Sequence, residues 1–243
     1  GDIDVYALRP EDIAILLPEG AAKGFTVNIT DLATYGTTWI CPNQDIGLAD
    51  GTNAEKRELY RNVEFREALA YLLDKDTMVQ NVLNGLGTAQ WTGLSLPSPF
   101  YAGRTEYGGP VTEENAVTYE FDLAKAAAFL DQIGLVDADG DGWRDFVDGS
   151  PLEIEFNTNP NTIREAICLI VGAHLRQLGL QVNFQPIDFN TLVTRLTTSQ
   201  VQMALLSLSG GTEPNSGANV YRSTGGLHFW HYSAASGDLY DVE

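Results

Sequence analysis

The sequence is short of positive charge. Its 243 residues include 14 lysines and arginines against 33 aspartates and glutamates, which gives a formal net charge of −19. Nucleic acids and anionic membranes both bind basic surfaces, so a chain of this charge is a poor partner for either. We therefore expect no nucleic-acid partner, and we attribute the acidic surface mainly to solubility.

Cysteine and histidine are also scarce, with two and three residues respectively. Cys41 and Cys168 lie far apart and form no C-x-x-C motif, so they indicate neither a metal site nor a redox site, and the sequence leaves their pairing open. The G-x-S-x-G, H-E-x-x-H and phosphate-loop motifs are all missing. The sequence therefore predicts a protein that is not an enzyme. A glycosidase would need only two facing carboxylates, but no particular pair stands out.

What is present is an alternation of strand and helix patterns. Apolar residues recur every second position in the strand candidates and at helical spacing in the others, for example at Phe65, Ala68, Leu69 and Leu72. The predicted order is strands at 25–29 and 37–40, a loop at 45–55, a helix pair at 61–85 broken at Asp74, an irregular segment at 86–118, a helix after Asp122, a strand at 152–156, a helix at 162–178, a strand at 180–185, a helix after Asp188 and a strand at 201–208. This order predicts an α/β fold with a mixed sheet, in which His174 is a packed core histidine.

One long ungapped segment resembles the family 5 extracellular solute-binding proteins, which deliver peptides, nickel chelates and some oligosaccharides to ABC importers. The matching residues are Phe65-Arg66, Ala68-Leu69, Tyr71, Asp74-Lys75-Asp76, Met78-Val79 and Asn84-Gly85-Leu86-Gly87. Further matches to the family follow at Tyr119, Asp122, Lys125-Ala126, Leu130 and Gly134, and again at Leu175, Leu178-Gly179-Leu180 and Val182.

The resemblance implies a mixed-sheet lobe of a type II periplasmic-binding-protein-like fold. Residues 1–243 would be a single ligand-binding lobe, and residues 206–243 would form the cleft loop and the tail leading back to a missing N-terminal lobe. The implied function is capture of a small solute or peptide for an ABC permease, outside the cytoplasm, by a periplasmic or cell-surface lipoprotein. The first residues, 1–5, show no signal-peptide pattern, so we expect an excised piece of a larger secreted chain.

The resemblance also places ligand contacts in the segment after the last strand. The family often has an aspartate four residues before a proline there, and in peptide binders this aspartate pairs with the ligand's α-ammonium group. Gly210 occupies that position before Pro214, which favours an oligosaccharide or another uncharged solute. The implied ligand contacts are Ser207, Ser209, Gly210, Thr212, Glu213, Trp230 and His231. A flexible loop after an edge strand, and ordinary packing of the aromatic stretch 227–232, remain alternatives.

A second chemical pattern is an aspartate-rich loop with the spacing of an EF-hand. Oxygen donors fall at loop positions 1, 3, 5, 9 and 12, with glycine at position 6. The candidate ligands of a structural calcium ion are Asp137, Asp139, Asp141, the Trp143 carbonyl, Asp145 and Asp148. The same aspartates are typical of a turn that caps itself. A calcium-stabilised interaction module without a transport ligand is therefore the alternative function.

Overall fold

A computed structural model describes residues 5–29, 34–94, 97–100 and 118–232. Within them the chain forms eight helices, four strands and two short 3-10 turns. In chain order these are α1 (Pro10–Lys23), β1 (Thr37–Pro42), α2 (Ala54–Arg61), α3 (Val63–Tyr71), α4 (Lys75–Asn81), α5 (Leu123–Gln132), β2 (Glu153–Thr158), α6 (Thr162–Gln177), β3 (Gln181–Pro186), α7 (Phe189–Thr197), β4 (Met203–Leu208), a 3-10 turn at Pro214–Gly217, α8 (Ala218–Tyr221) and a 3-10 turn at Phe229–His231.

The four strands form one mixed sheet in the order β1-β4-β2-β3. β2 runs parallel to both β3 and β4, while β1 is antiparallel to β4, with Thr37 opposite Leu208. The carboxyl ends of β2, β3 and β4 therefore lie at one edge of the sheet, and β1 starts there. This confirms the predicted α/β fold with a mixed sheet.

Apolar side chains cover both faces of the sheet because the strands alternate their side chains between the faces. Ile154 and Phe156 of β2 are fully buried in the larger cluster, together with Met203 and Leu205 of β4 and the inner faces of α3, α5 and α6. The smaller cluster lies on the other face and comprises Cys41, Leu192, Leu196, Val201, Ala204, Leu206 and Phe229. The apolar spacing of Phe65, Ala68, Leu69 and Leu72 is confirmed as a buried helix face, since all four side chains are buried.

Five helices begin at a polar residue whose side chain accepts a backbone N–H from the first turn, the standard N-cap arrangement. The capping residues are Asn62 for α3, Asp74 for α4, Asp122 for α5, Asn161 for α6 and Asp188 for α7. The predicted helix starts at Asp74, Asp122 and Asp188 are correct. The sequence predicted a helix starting at residue 61. In the structure, residue 61 ends α2, and α3 starts after Asn62, whose extended ψ of 128° interrupts the helix.

The predicted strand at 25–29 is wrong. Residues 25–29 have no regular structure, and they follow α1, which the sequence analysis missed. Pro10 stands in the first turn of α1, where a proline is tolerated, but Pro18 inside it and the exposed Ile15 obscure the apolar periodicity. Helix α4 also ends at Asn81, earlier than the predicted end at Gly85, because the chain already turns at Asn84 with a positive φ of 51°.

The two cysteines do not pair. Cys41 and Cys168 are both free and buried, and burial raises the pKa of each thiol to about 12, so both are poor nucleophiles. His174 is confirmed as a packed histidine, with its Nδ1 2.8 Å from the Leu72 carbonyl oxygen and its ring against Phe121. None of the helices in the described ranges combines the length and the apolar character that a bilayer crossing requires.

Candidate functional site

A shallow depression lies at the edge of the sheet where β4 ends and β1 begins. Loops opposite the carboxyl ends of strands are where open α/β sheets bind ligands. The depression is lined by Thr37, Trp39, Gly93, Leu94, Leu208, Ser209, Gly210, Gly211, Glu213, Pro214, Gly217, Val220 and Tyr221. Its cavity volume is only about 40 Å³, which is room for a few waters at most. The described residues thus form one wall of a site and do not surround a ligand.

An aromatic side chain is fixed at the mouth of this depression. The hydroxyl of Tyr221 donates a hydrogen bond to the Gly93 carbonyl (3.0 Å), and burial of the ring raises the pKa of the phenol. A Cβ on Gly93 would lie 2.8 Å from the Tyr221 ring, so a larger residue at this position would displace the ring. Trp39 forms part of the floor and meets Trp230 edge-on at 6.5 Å. Such faces suit stacking on sugar rings or apolar side chains.

The segment that carries Gly93 is held in place by a partly buried lysine. Lys75 Nζ donates to the Gln90 carbonyl (2.9 Å) and lies 3.5 Å above the Trp91 ring. Burial lowers the pKa of Lys75 to about 8, and the nearby negative charge of Glu120 offsets part of this shift. Gln90 in turn accepts a hydrogen bond from the hydroxyl of Thr37 (3.0 Å) at the start of β1. The irregular segment after α4 is therefore attached to the edge of the sheet, as far as it is described.

A row of polar side chains crosses the other face of the sheet at the same edge. The hydroxyls of Thr38 and Ser207 are 2.7 Å apart, and Arg164 Nε donates to Ser207 Oγ at 3.1 Å. Arg164 also donates from Nη1 to Asn159 Oδ1, in the turn between β2 and α6. The row brings the start of α6 to the end of β4.

Five of the seven predicted ligand contacts lie near the end of β4, in three different settings. Ser209, Gly210 and Glu213 line the depression. Ser207 lies in the polar row on the opposite face. Thr212 is exposed, and its carbonyl accepts from the hydroxyl of Ser98 (2.7 Å). These five positions share one edge of the sheet, and their contact with a solute stays a prediction.

The two predicted contacts from the aromatic stretch behave differently. Trp230 is half-buried and supports the depression from behind, 6.2 Å from the Tyr221 ring. His231 is 1% exposed, its Nδ1 is 2.8 Å from Oδ1 of Asp45, and it is not among the residues that line the depression. Its contact with a solute stays a prediction.

The Asp45 carboxylate contacts both His231 and Arg61. Its Oδ1 also accepts from Arg61 Nη2 (3.2 Å), and Arg61 Nε donates to the Gln44 carbonyl (2.8 Å). The Asp45 side chain is 0% exposed and that of Arg61 is 13% exposed. This triad of Asp45, Arg61 and His231 joins α2 to the chain end behind the depression. In the sequence, Asp45 lies in a predicted polar loop with no local signal of its partners, which are 16 and 186 residues away.

The aspartate-rich loop brings together part of the predicted calcium set. One carboxylate oxygen from each of Asp137, Asp139 and Asp145 lies within 4.8 Å of the others. Asp137 accepts from the backbone of Gly140 (2.7 Å) and Gly142 (2.9 Å), which folds the loop around its carboxylate. The loop is thus compact enough to present three hard oxygen ligands.

The remaining donors of that loop are engaged elsewhere. Asp141 accepts from the backbone N–H of Trp143 (2.8 Å). Asp148 accepts from the backbone and hydroxyl of Ser150, which lower the pKa of its carboxyl. Among the described acidic residues, neither Asp141 nor Asp148 belongs to the group of three that converges. Calcium binding stays a prediction, with fewer ligands than the spacing suggested.

Comparison with known proteins gives a family match over most of the chain. Residues 1–227 match the model of the bacterial extracellular solute-binding proteins, family 5 Middle. The chain is similar to the oligopeptide-binding protein AppA of Bacillus subtilis, with 29% identity over 143 residues, covering 58% of this chain and 24% of that protein. It is also 30% identical over 139 residues to the periplasmic alpha-galactoside-binding protein of Rhizobium meliloti, covering 54% of this chain and 18% of that protein.

Solved structures share the fold. The structure of AppA from Bacillus subtilis with a nonapeptide superposes with a TM-score of 0.69 at 23% identity, covering 95% of this chain and 45% of that chain. The periplasmic binding protein MelB of Agrobacterium fabrum, in complex with stachyose, gives a TM-score of 0.71 at 21% identity, covering 92% of this chain and 34% of that chain. The chain therefore spans less than half the length of these relatives.

Proposed function

Because the chain belongs to family 5 of the bacterial extracellular solute-binding proteins, we propose that it is one lobe of a longer binding protein that captures a small solute outside the cytoplasm. In this proposal residues 1–243 are the lobe, and the segment from residue 206 forms the cleft loop and leads to the second lobe. The captured solute is passed to an ABC permease. No covalent chemistry is involved, since capture needs only hinge closure of two lobes around the ligand.

One observation supports this proposal above all others: the depression at the carboxyl edge of the sheet is open on one side. Ser209, Gly210 and Glu213 line it, and Tyr221 is fixed at its mouth. A wall of this kind gains affinity only when a second surface covers the ligand, because ligand sites bury most of a ligand's surface. Structures with the same fold in complex with a nonapeptide and with stachyose make a peptide or an oligosaccharide the natural solute classes.

The proposal predicts weak but localised binding by this chain alone. In an NMR titration of backbone amides with short peptides and with stachyose, we expect the signals of Ser209, Gly210 and Tyr221 to shift, with a dissociation constant in the millimolar range. The amides of the 137–148 loop provide the internal control and should stay in place. Shifts spread evenly over the chain, or none in the cleft with either solute class, would contradict the proposal.

Calcium enters the proposal as a structural ion of the 137–148 loop, supported by the convergence of Asp137, Asp139 and Asp145. With so few ligands, the affinity should resemble that of weak extracellular sites, with a dissociation constant of about 0.1 to 1 mM. The ion would then stabilise the lobe at a distance from the cleft. The alternative, an interaction module with no transport ligand, finds no support in the family match.

Calcium binding predicts a change in thermal stability. At 10 mM calcium the folded state should gain about 1.4 to 2.7 kcal/mol, which raises the melting temperature by about 3 to 10 °C relative to EGTA. The substitution Asp139→Asn should remove most of this shift, whereas Asp76→Asn, in exposed sequence on α4, should leave it intact. Equal melting temperatures in calcium and EGTA would reduce the loop to a self-capped turn.

A further inference from the structure

The ring of Tyr221 occupies a slot between two glycines at the mouth of the depression. A Cβ built on Gly93 would lie 2.8 Å from the ring carbon Cζ and 3.0 Å from Cε1, and a Cβ built on Gly217 would lie 3.0 Å from Cδ2 and 3.1 Å from Cε2. The two glycines therefore face opposite edges of the ring. Neither has a left-handed backbone conformation, so it is the ring, and not the backbone, that leaves no room for a side chain at either position.

The attachment of the ring in this slot is weak. The Tyr221 hydroxyl donates a hydrogen bond to the Gly93 carbonyl at 3.0 Å, and the residue is 39% exposed. A neutral hydrogen bond contributes little to stability, because water replaces it when it breaks. Tyr221 is also the last residue of α8, which has four residues, and Arg222 after it is already extended with a ψ of 137°. The ring therefore leaves the slot by rotation of one side chain, with no long element unfolded.

The position of this ring limits what the depression admits. With the ring in the slot the cavity volume is about 40 Å³, whereas sites for small molecules usually enclose about 300 to 1,000 Å³. When the ring leaves, the space of one phenol ring joins the depression. That space lies beside Trp230, whose ring centroid is 6.2 Å from that of Tyr221, a distance typical of aromatic pairs. A flat aromatic ring fits this space, whereas a puckered sugar ring with hydroxyl groups at its rim fits it less well.

We propose that Tyr221 is a gate of the cleft, whose ring swings out of the slot so that an aromatic side chain of a peptide solute takes its place. The inference rests on the proposed function and deepens it, because it names the residue that sets the size of the solute group admitted at this edge. In the absence of solute the ring keeps the apolar slot away from water. A solute with small side chains alone binds beside the closed ring and leaves its hydrogen bond to Gly93 intact.

The test compares two uncharged probes that differ by one phenyl ring, N-acetyl-alanyl-phenylalanyl-alanine amide and N-acetyl-trialanine amide. Nuclear Overhauser effects between the ring protons of Tyr221 and the α-protons of Gly93 and Gly217 report the closed position, because these groups are in contact there. We expect these effects in the free chain and at saturation with the trialanine probe. At saturation with the phenylalanine probe they should disappear, while the amide signals of Ser209 and Gly210 report that each probe is bound.

Three variants separate the gate from a general effect on the cleft. Tyr221→Phe should raise the affinity for the phenylalanine probe about two- to tenfold and leave that for trialanine unchanged, because opening no longer breaks the bond to Gly93. Gly217→Ala puts a methyl group into the slot, so both probes should then bind equally. Tyr119→Phe, at a ring 5.2 Å from that of Tyr71 and outside the lining of the depression, should change neither affinity. Amide spectra establish that each variant keeps the fold.

Several outcomes would overturn the inference. If the ring of Tyr221 keeps its contacts with both glycines while the phenylalanine probe is bound, the ring is no gate, and the proposed solute-binding function stands. An unchanged preference for the phenylalanine probe in Gly217→Ala places the solute's ring outside the slot. Displacement of the ring by stachyose and not by the phenylalanine probe assigns the slot to a sugar. If no probe moves the cleft amides, either in the parent chain or in Tyr221→Ala with its emptied slot, the proposed function fails as well.

Discussion

Replacing Asp45 by alanine should lower the free energy of unfolding by about 3 to 5 kcal/mol. The Asp45 carboxylate is fully buried, and it accepts from Arg61 Nη2 and lies 2.8 Å from His231 Nδ1. Its removal leaves a partly buried guanidinium and a buried imidazole without their shared anion. The cost is dominated by these stranded partners, so it exceeds what an exposed ion pair contributes.

Urea denaturation measures this effect directly, since a change in midpoint at constant slope reports stability. Asp45→Asn keeps an acceptor oxygen and should lose less than Asp45→Ala. Asp76→Ala, an exposed residue in the first turn of α4, should stay within about 0.5 kcal/mol of the parent chain. An unchanged midpoint for Asp45→Ala would show that the triad contributes nothing net to stability.

The same substitution should also disturb the cleft. The Gln44 backbone N–H donates to the Trp230 carbonyl at 2.7 Å, directly beside the triad, and Trp230 supports Tyr221 from behind. Loss of Asp45 should therefore loosen the segment 228–231 before the rest of the described chain. In the indole region of an NMR spectrum, we expect the Trp230 signal to change more than the Trp143 signal, which comes from the aspartate-rich loop.

Truncating Phe156 to alanine should cost a similar amount, about 3 to 5 kcal/mol, for a different reason. Phe156 is fully buried at the centre of the sheet, opposite Phe184 of β3 and Met203 of β4, and its ring centroid is 5.9 Å from that of Phe184. The substitution removes a ring from the larger apolar cluster and leaves a cavity, because neighbouring strands held by backbone hydrogen bonds cannot close around it.

The matched control is Phe189→Ala on α7, where the side chain is 57% exposed. It should change the stability by less than about 1 kcal/mol, since little apolar area leaves the interior. Phe156→Leu should fall between the two, because most of the volume is kept. The urea midpoints should therefore rank Phe189→Ala above Phe156→Leu above Phe156→Ala. A small loss for Phe156→Ala would mean that the sheet relaxes into the cavity.

These two sites differ in how visible they are in the sequence. Phe156 alternates with Ile154 along β2, and period-2 alternation is a local property that identifies an inward face without any knowledge of its partners. Asp45 sits in a polar loop, and nothing local distinguishes it from Asp50, which only accepts hydrogen bonds from Thr52. Its partners come from α2 and from the far end of the chain, so only the tertiary structure assigns its role.

The residues that line the depression also differ in how far the sequence identified them. The resemblance located Ser209, Gly210 and Glu213, because the position before Pro214 is carried by a short motif. It did not locate Trp39, Gly93 or Tyr221, which reach the same depression from three separate parts of the chain. The resemblance also implied His231, which lies buried against Asp45 and outside the lining of the depression.

By itself, the sequence determined the α/β class, the helix starts at Asp74, Asp122 and Asp188, the buried helix face at Phe65, Ala68, Leu69 and Leu72, and the family. Each of these depends on spacing or on a contiguous motif, which tertiary contacts reinforce and do not create. The strand order β1-β4-β2-β3, the absence of a strand at 25–29, the split at Asn62, the buried triad and the fixed guanidinium of Arg164 were decided by the tertiary structure alone. These features depend on contacts between distant residues or on a choice between competing local structures. The spacing of residues along the chain carries no information about either.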